Sequence, residues 1–292
     1  MQTQTLNTGT AQISLRVYDT TSAPHTSVVI GGAMGVKQSY YAPFAEWLSG
    51  QGFRVTTFDY RGSGDSPTDT PNGGLRGFKA DLLDWARDYE AVVDAAKAAL
   101  PDAPLYLLGH SLGAQLPGFL RNQHKVSGLV SIAAGSGYWR DNAPQLRRMV
   151  LYFWYVLVPL ATRLCGYFPG RSLRKVGDLP AGVMLQWRRW CLNPQYSVGA
   201  EGEAARRSYE QVTFPVQAVA ITDDELMTWR GTQNLINLYA NAPRSVERIA
   251  PADVKARRIG HFGFFREQFS QTLWPHARRM FERMGSVANT TA

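Results

Sequence analysis

The apolar run Pro104-Leu105-Tyr106-Leu107-Leu108 leads directly into Gly109-His110-Ser111-Leu112-Gly113, and residues 114–120 follow as a helix start that contains Pro117 and Gly118. A short continuous apolar run of this kind reads as a strand buried on both faces. Strand, G-x-S-x-G and helix in that order describe a sharp turn with a serine at its apex. The flanking glycines let strand and helix pass each other without side-chain clashes. Such a turn belongs at the C-terminal end of a strand in a mostly parallel sheet, and it makes Ser111 the candidate nucleophile.

The rest of the chain fits that sheet. Residues 13–18 alternate with period two, as a half-exposed edge strand does, and residues 27–30 run into Gly31-Gly32. Apolar positions at helical spacing (Tyr41, Phe44, Ala45, Leu48) mark a helix over 38–49, and the β-branched and aromatic run 53–58 marks a strand. A long amphipathic helix over 81–100 stops before Pro101. Buried strands are expected at 128–134 and 216–221, a helix at 233–239, a last strand at 246–249 and a closing helix at 264–284. Continuous apolar strands separated by helices imply an α/β fold, with a mostly parallel central sheet covered by helices on both faces.

One stretch breaks the pattern. Between Arg140 and Trp190 lie nine basic residues, opposed only by Asp141 and Asp178, so this stretch carries +7 of the chain's net +8. It also holds thirteen consecutive apolar residues, 149–161. That run is shorter than the roughly 20 residues needed to span a bilayer, and Pro159 interrupts it. An island of this composition reads as an insertion. Residues 137–205 are expected to form a helical cap on a core made of 1–136 and 206–292. The basic excess suits a solvated face, an anionic substrate, or an anionic membrane surface touched peripherally. No nucleic-acid motif accompanies it, so no nucleic-acid partner is expected. The first ten residues have neither a basic nor an apolar stretch, so a cytoplasmic location is expected. Cys165 and Cys191 lack disulfide-framework and metal-ligand spacing and are expected to be reduced and packed.

A serine hydroxyl attacks only when a base takes its proton and a carboxylate orients that base. In this topology the order along the chain is Ser, then Asp or Glu, then His. His261, between glycines at 260 and 263 and after the last strand, meets that requirement. His25, His124 and His276 are misplaced, and His110 is expected to pack or bond locally. The strand ending at Ile221 is followed by Asp223-Asp224-Glu225, and the residues alone leave Asp223 and Asp224 both open. Two N–H donors must face the developing oxyanion. Leu112 supplies one; the glycine-rich loop 31–35 supplies the other, from Ala33 or, as second choice, Met34. This chemistry calls for no metal and no organic cofactor.

Asp59-Tyr60-Arg61-Gly62-Ser63-Gly64-Asp65-Ser66 looks like the loop that many α/β-hydrolases carry after the strand preceding the elbow. With Gly-His-Ser-Leu-Gly, the Asp-Asp-Glu turn and Gly-His-Phe-Gly-Phe-Phe, the chain resembles bacterial α/β-hydrolases of the serine aminopeptidase-like and lysophospholipase-like group. In many members of that group the acid is the last Asp of a Gly-x-x-Asp turn. Ile221 replaces the glycine here, and the resemblance points to Asp224. Gly31-Gly32 stands where relatives often have His-Gly. The resemblance implies a serine hydrolase that cleaves a carboxylic ester, with thioesterase, lysophospholipase or a ligand-binding protein of negligible turnover as alternatives. A basic entrance suits a small-molecule ester or acyl substrate, anionic or lipid-like, better than the free amino terminus an aminopeptidase would take. Met34, Tyr138 and Trp139 are candidate pocket residues; Trp154, Tyr155, Trp187 and Trp190 either join them or fill the core beneath the insertion.

Overall fold

All the expected strands pair into one eight-stranded sheet, together with one that the sequence did not suggest. The computed structural model describes residues 1–20 and 23–290. In chain order the first elements are β1 (Gln2–Asn7), β2 (Gln12–Tyr18), β3 (Thr26–Gly31), α1 (Ala42–Ser49), β4 (Phe53–Phe58), α2 (Leu82–Ala99), β5 (Leu105–His110) and β6 (Gly128–Ile132). Next come α3 (Pro144–Tyr152), α4 (Val158–Cys165), the two-residue strands β7 (Tyr167–Phe168) and β8 (Leu179–Pro180), α5 (Ala181–Leu192), α6 (Tyr196–Glu201) and α7 (Glu203–Glu210). The chain ends with β9 (Val216–Ile221), α8 (Trp229–Leu238), β10 (Arg244–Ile249) and α9 (Trp274–Thr290).

The strand order is β1-β2-β4-β3-β5-β6-β9-β10. β1 and β2 pair antiparallel, as do β2 and β4, and the remaining neighbours are parallel. The polar segment 2–7 is therefore the edge strand. β2, expected at the edge, is covered on both sides and largely buried. Gly31 lies opposite Gly109, His110 opposite Ile132, and Ile221 opposite Ile249. That register gathers the loops after β3, β5, β9 and β10 along one edge of the sheet, where ligands of open α/β sheets bind.

Alternation along the strands sends successive side chains into two separate cores. Val29, Leu107 and Leu129 pack with Leu82, Trp85 and Tyr89 of α2 and with Trp190 of α5. Val28, Ile30, Leu108 and Val130 pack with Phe44 and Leu48 of α1 and with Phe281 and Met284 of α9. The α2 helix starts at Asp81, whose carboxylate accepts from Asp84 N–H at 2.8 Å while Asp84 returns the bond to Asp81 N–H. Midway along α2, Asp88 takes the Arg61 guanidinium at 2.6 and 2.9 Å and the Arg61 backbone N–H at 3.0 Å. Both side chains are buried. This pair fastens the 59–66 loop to α2, and removing one partner from such a buried pair costs about 3–5 kcal/mol. Gly64 in the same loop has φ +56, and a Cβ there would lie 2.1 Å from Asp59 Cγ.

Three expectations need correction. Residues after the serine do not form an α-helix; two 3-10 turns, Ser111–Ala114 and Leu116–Phe119, take its place, because Pro117 and Gly118 cannot sustain an i→i−4 ladder. The closing helix starts at Trp274 with Pro275 in its first turn, after two 3-10 turns over 263–269. Pro159 does not interrupt the apolar run. A π-turn over Phe153–Leu157 joins α3 to α4 in one rod and absorbs the proline's missing donor.

Candidate active site

Ser111 has φ +53, a left-handed conformation that a residue with a Cβ holds only at a cost of about 1–3 kcal/mol. Its neighbours explain why the turn persists. A Cβ on Gly113 would sit 1.9 Å from the Gly31 carbonyl oxygen, and one on Gly109 would sit 2.3 Å from Ala114 N. Only glycine lets the turn press against the end of β3. Leu112 N–H lies ahead of the first i→i+3 bond of the 3-10 turn, among the donors that a helix start leaves unpaired.

His261 projects from the loop after β10, and Asp224 from the turn after β9. His261 Nδ1 and Asp224 Oδ2 are 2.8 Å apart, and both side chains are buried. The other Asp224 oxygen accepts from Leu226 N–H at 2.7 Å and Met227 N–H at 2.8 Å, which fixes the carboxylate in its turn. The two remaining acids hold the backbone around the imidazole. Asp223 accepts from Ile259 and Gly260 N–H, and Glu225 accepts from His261 N–H at 3.1 Å. Partial burial pushes the Glu225 carboxyl up, but backbone N–H donors and the Arg258 guanidinium outweigh that and hold it below the usual range. The run Asp-Asp-Glu thus clamps one loop three times, a role that the sequence signalled only by its unusual density of acid.

Ser111 directly follows His110, whose ring lies 5.1 Å from the His261 ring, centroid to centroid. Ser111 Oγ has no hydrogen-bond partner among the described residues. His110, by contrast, is fully partnered. Its Nε2 lies 3.0 Å from the His261 carbonyl oxygen, so Nε2 carries the hydrogen and donates. Burial, reinforced by nearby His261, keeps the ring neutral, so Nδ1 accepts from Tyr41 Oη at 2.9 Å. Tyr41 Oη in turn accepts from Ala33 N–H at 2.8 Å. One directional chain therefore runs from the loop after β3 through Tyr41 and His110 to the backbone of His261.

That chain corrects the oxyanion expectation for Ala33. A backbone amide has one hydrogen, and Ala33 gives it to a buried phenol that needs a donor. Met34 N–H, the second choice, has no partner among the described residues. Tyr41 gave no sign of this role in the sequence, where its spacing marks it only as helix core.

The chain also predicts an acid sensitivity. His110 is held well below its ordinary value of about 6.5, so as pH falls through that value the unfolded chain binds a proton that the folded chain refuses. The stability contributed here is complete above about pH 6.5 and declines toward the folded pKa, by up to about 1.4 kcal/mol per pH unit. Urea unfolding between pH 7.5 and 5.5 is expected to show wild type losing about 1 kcal/mol relative to His110→Gln over that span. Parallel curves for the two proteins would contradict the chain.

The expected pocket residues separate. Trp154 and Trp190 are core, Trp190 stacking on Phe119 at 5.4 Å, while Tyr155 faces outward. Trp187 is half-buried and packs edge-on against Trp154. Tyr138 and Trp139 are half-buried, and Met34 is buried. With Ser111 7 % exposed and His261 2 %, the site is nearly closed. A cavity of about 530 Å³ lies to one side, against Gly35, Lys37, Arg76 and Arg171, and is not lined by Ser111. No group of three or more metal-ligating side chains occurs among the described residues.

The family described as serine aminopeptidase, S33, matches residues 22–251. A 66-residue segment is 39% identical to lysophosphatidylserine lipase ABHD12 of Gallus gallus and 47% identical to that of Mus musculus. The match spans 23% of this chain and only 15% and 14% of those proteins. A soluble variant of monoglyceride lipase from Saccharomyces cerevisiae, solved with a substrate analog, superposes with a TM-score of 0.69 at 14% identity, over 97% of this chain and 94% of the other. Est1E from Butyrivibrio proteoclasticus, solved with ferulic acid, gives 0.63 at 13% identity, over 97% and 99%. At these identities the superpositions establish the α/β-hydrolase fold.

Proposed function

The chain belongs to the serine aminopeptidase S33 family of α/β-hydrolase enzymes, and from that premise we propose that it cleaves a carboxylic ester through an acyl-enzyme intermediate on Ser111. The observation that carries this reading is the 2.8 Å bond between His261 Nδ1 and Asp224 Oδ2, made by the two residues that the order Ser, Asp, His requires. Asp224 keeps the hydrogen on Nδ1 and leaves Nε2 to act as base. Nε2 takes the Ser111 proton as Oγ attacks the ester carbonyl carbon. The Oγ–Nε2 hydrogen bond forms as substrate enters. Leu112 and Met34 N–H stabilise the oxyanion. His261 returns the proton to the departing alkoxide oxygen, the C–O bond breaks, and a water activated by the same base releases the acid.

In this account residues 137–205 act as a cap, and Tyr138 and Trp139 border the acyl path beneath it. The basic cap favours an anionic or lipid-like ester over a free amino terminus. That preference agrees with the lipase names of the similar proteins. The test is turnover of p-nitrophenyl esters from acetate to dodecanoate beside an acyl thioester and an aminoacyl p-nitroanilide. Ester turnover exceeding the other two is the expected result. Dominant thioester turnover would reassign the enzyme as a thioesterase, and dominant anilide turnover would overturn the reading.

A further inference from the structure

Eight of the nine large apolar side chains exposed among the described residues fall between 149 and 185. Seven of them lie on the rod formed by α3, the π-turn and α4. Met149, Tyr152, Val156, Leu160 and Leu164 recur at spacings of three and four residues, so they form one outward stripe. They are 62%, 56%, 46%, 54% and 66% exposed. Trp154, Val158 and Thr162 form the opposite, buried row. A helix apolar on both faces is one that is covered on both faces, and none of the described residues covers the outer one.

We propose that this outer face lies on an anionic lipid surface. Charge selects that occupant. Arg147 and Arg163 are exposed on the rod, and Arg174 and Lys175 are exposed in the segment that follows it, and the stretch offers no free carboxylate to oppose them. Asp141 is buried against Arg230 at 3.1 Å and Asn234 at 2.7 Å, and Asp178 faces Arg171. A two-fold contact between copies through this face would set each basic surface against its own image. An anionic headgroup layer accepts both the apolar row and its arginines, and Tyr152 and Tyr155 suit the boundary between acyl chains and water. The rod lies on the surface rather than across it. Its inner row is packed into the protein, and no helix among the described residues is long and apolar enough to cross a membrane.

The experiment is co-sedimentation of the full chain with phosphatidylcholine vesicles, with and without phosphatidylglycerol. Wild type is compared with Leu160→Asp/Leu164→Asp, a variant at exposed positions whose melting temperature should match wild type. Wild type should prefer the phosphatidylglycerol vesicles, and the variant should partition into them about 100-fold more weakly. Raising salt from about 0.05 to about 0.5 M should weaken wild-type binding about 10-fold or more. Equal binding by wild type and variant, equal binding to both vesicle types, or no vesicle binding with a dimer that the variant dissolves would each overturn the proposal. None of these readouts needs Ser111. Turnover of soluble p-nitrophenyl acetate, expected to be the same in both proteins, tests the hydrolase reading separately.

Discussion

Ser111→Ala should lower kcat/KM for the preferred p-nitrophenyl ester by about 10⁴- to 10⁶-fold. In the proposed mechanism the loss follows from deleting the group that forms the acyl intermediate. It falls short of complete because oxyanion donors and substrate binding persist. KM should change little, because the hydroxyl is a small part of the surface that a substrate touches. A variant retaining a tenth of wild-type activity would show that water is attacking directly, or that another residue is the nucleophile.

Asp224→Asn should cost about 10⁴-fold in kcat, whereas Asp223→Asn should cost no more than about 10-fold. The two residues are adjacent and chemically identical, so geometry alone separates them. Asparagine at 224 can still accept from Leu226 and Met227 N–H through Oδ1 and so preserve the turn. Its amide would point a donor at His261 Nδ1, where the carboxylate accepts at 2.8 Å. The ring then shifts its hydrogen to Nε2 and can no longer take the serine proton. Asparagine at 223 keeps one acceptor for Ile259 or Gly260 N–H and loses the other, which should lower stability by about 1–2 kcal/mol while the imidazole keeps its tautomer. Equal kinetic losses at both positions would contradict the assignment.

The strands most legible in the sequence were those that the fold buries on both faces, since β3, β5, β6 and β9 need uninterrupted apolar runs. β1 was not legible. Gln2-Thr3-Gln4-Thr5 has no apolar face, and only pairing with β2 makes it a strand. The start of the closing helix is hidden in the sequence because Phe264, Phe265 and Phe269 continue the apolar pattern through 3-10 turns. At the site, Ser111 and His261 are marked locally, by flanking glycines and by chain order. Asp224 needed a family resemblance, because nothing in Asp223-Asp224-Glu225 tells which carboxylate meets the ring and which meet the backbone. Ala33 departs from its expected role for a different reason. Its amide is claimed by Tyr41, eight residues away, and no local pattern reports a hydrogen bond to a buried phenol across a loop.

Intact mass after treatment with a fluorophosphonate probe tests the central claim most directly, because the probe captures only a serine that an adjacent base has activated. A single adduct on wild type and none on Ser111→Ala is the result this account predicts. An unlabelled wild type, or an adduct that survives in the alanine variant, would contradict it.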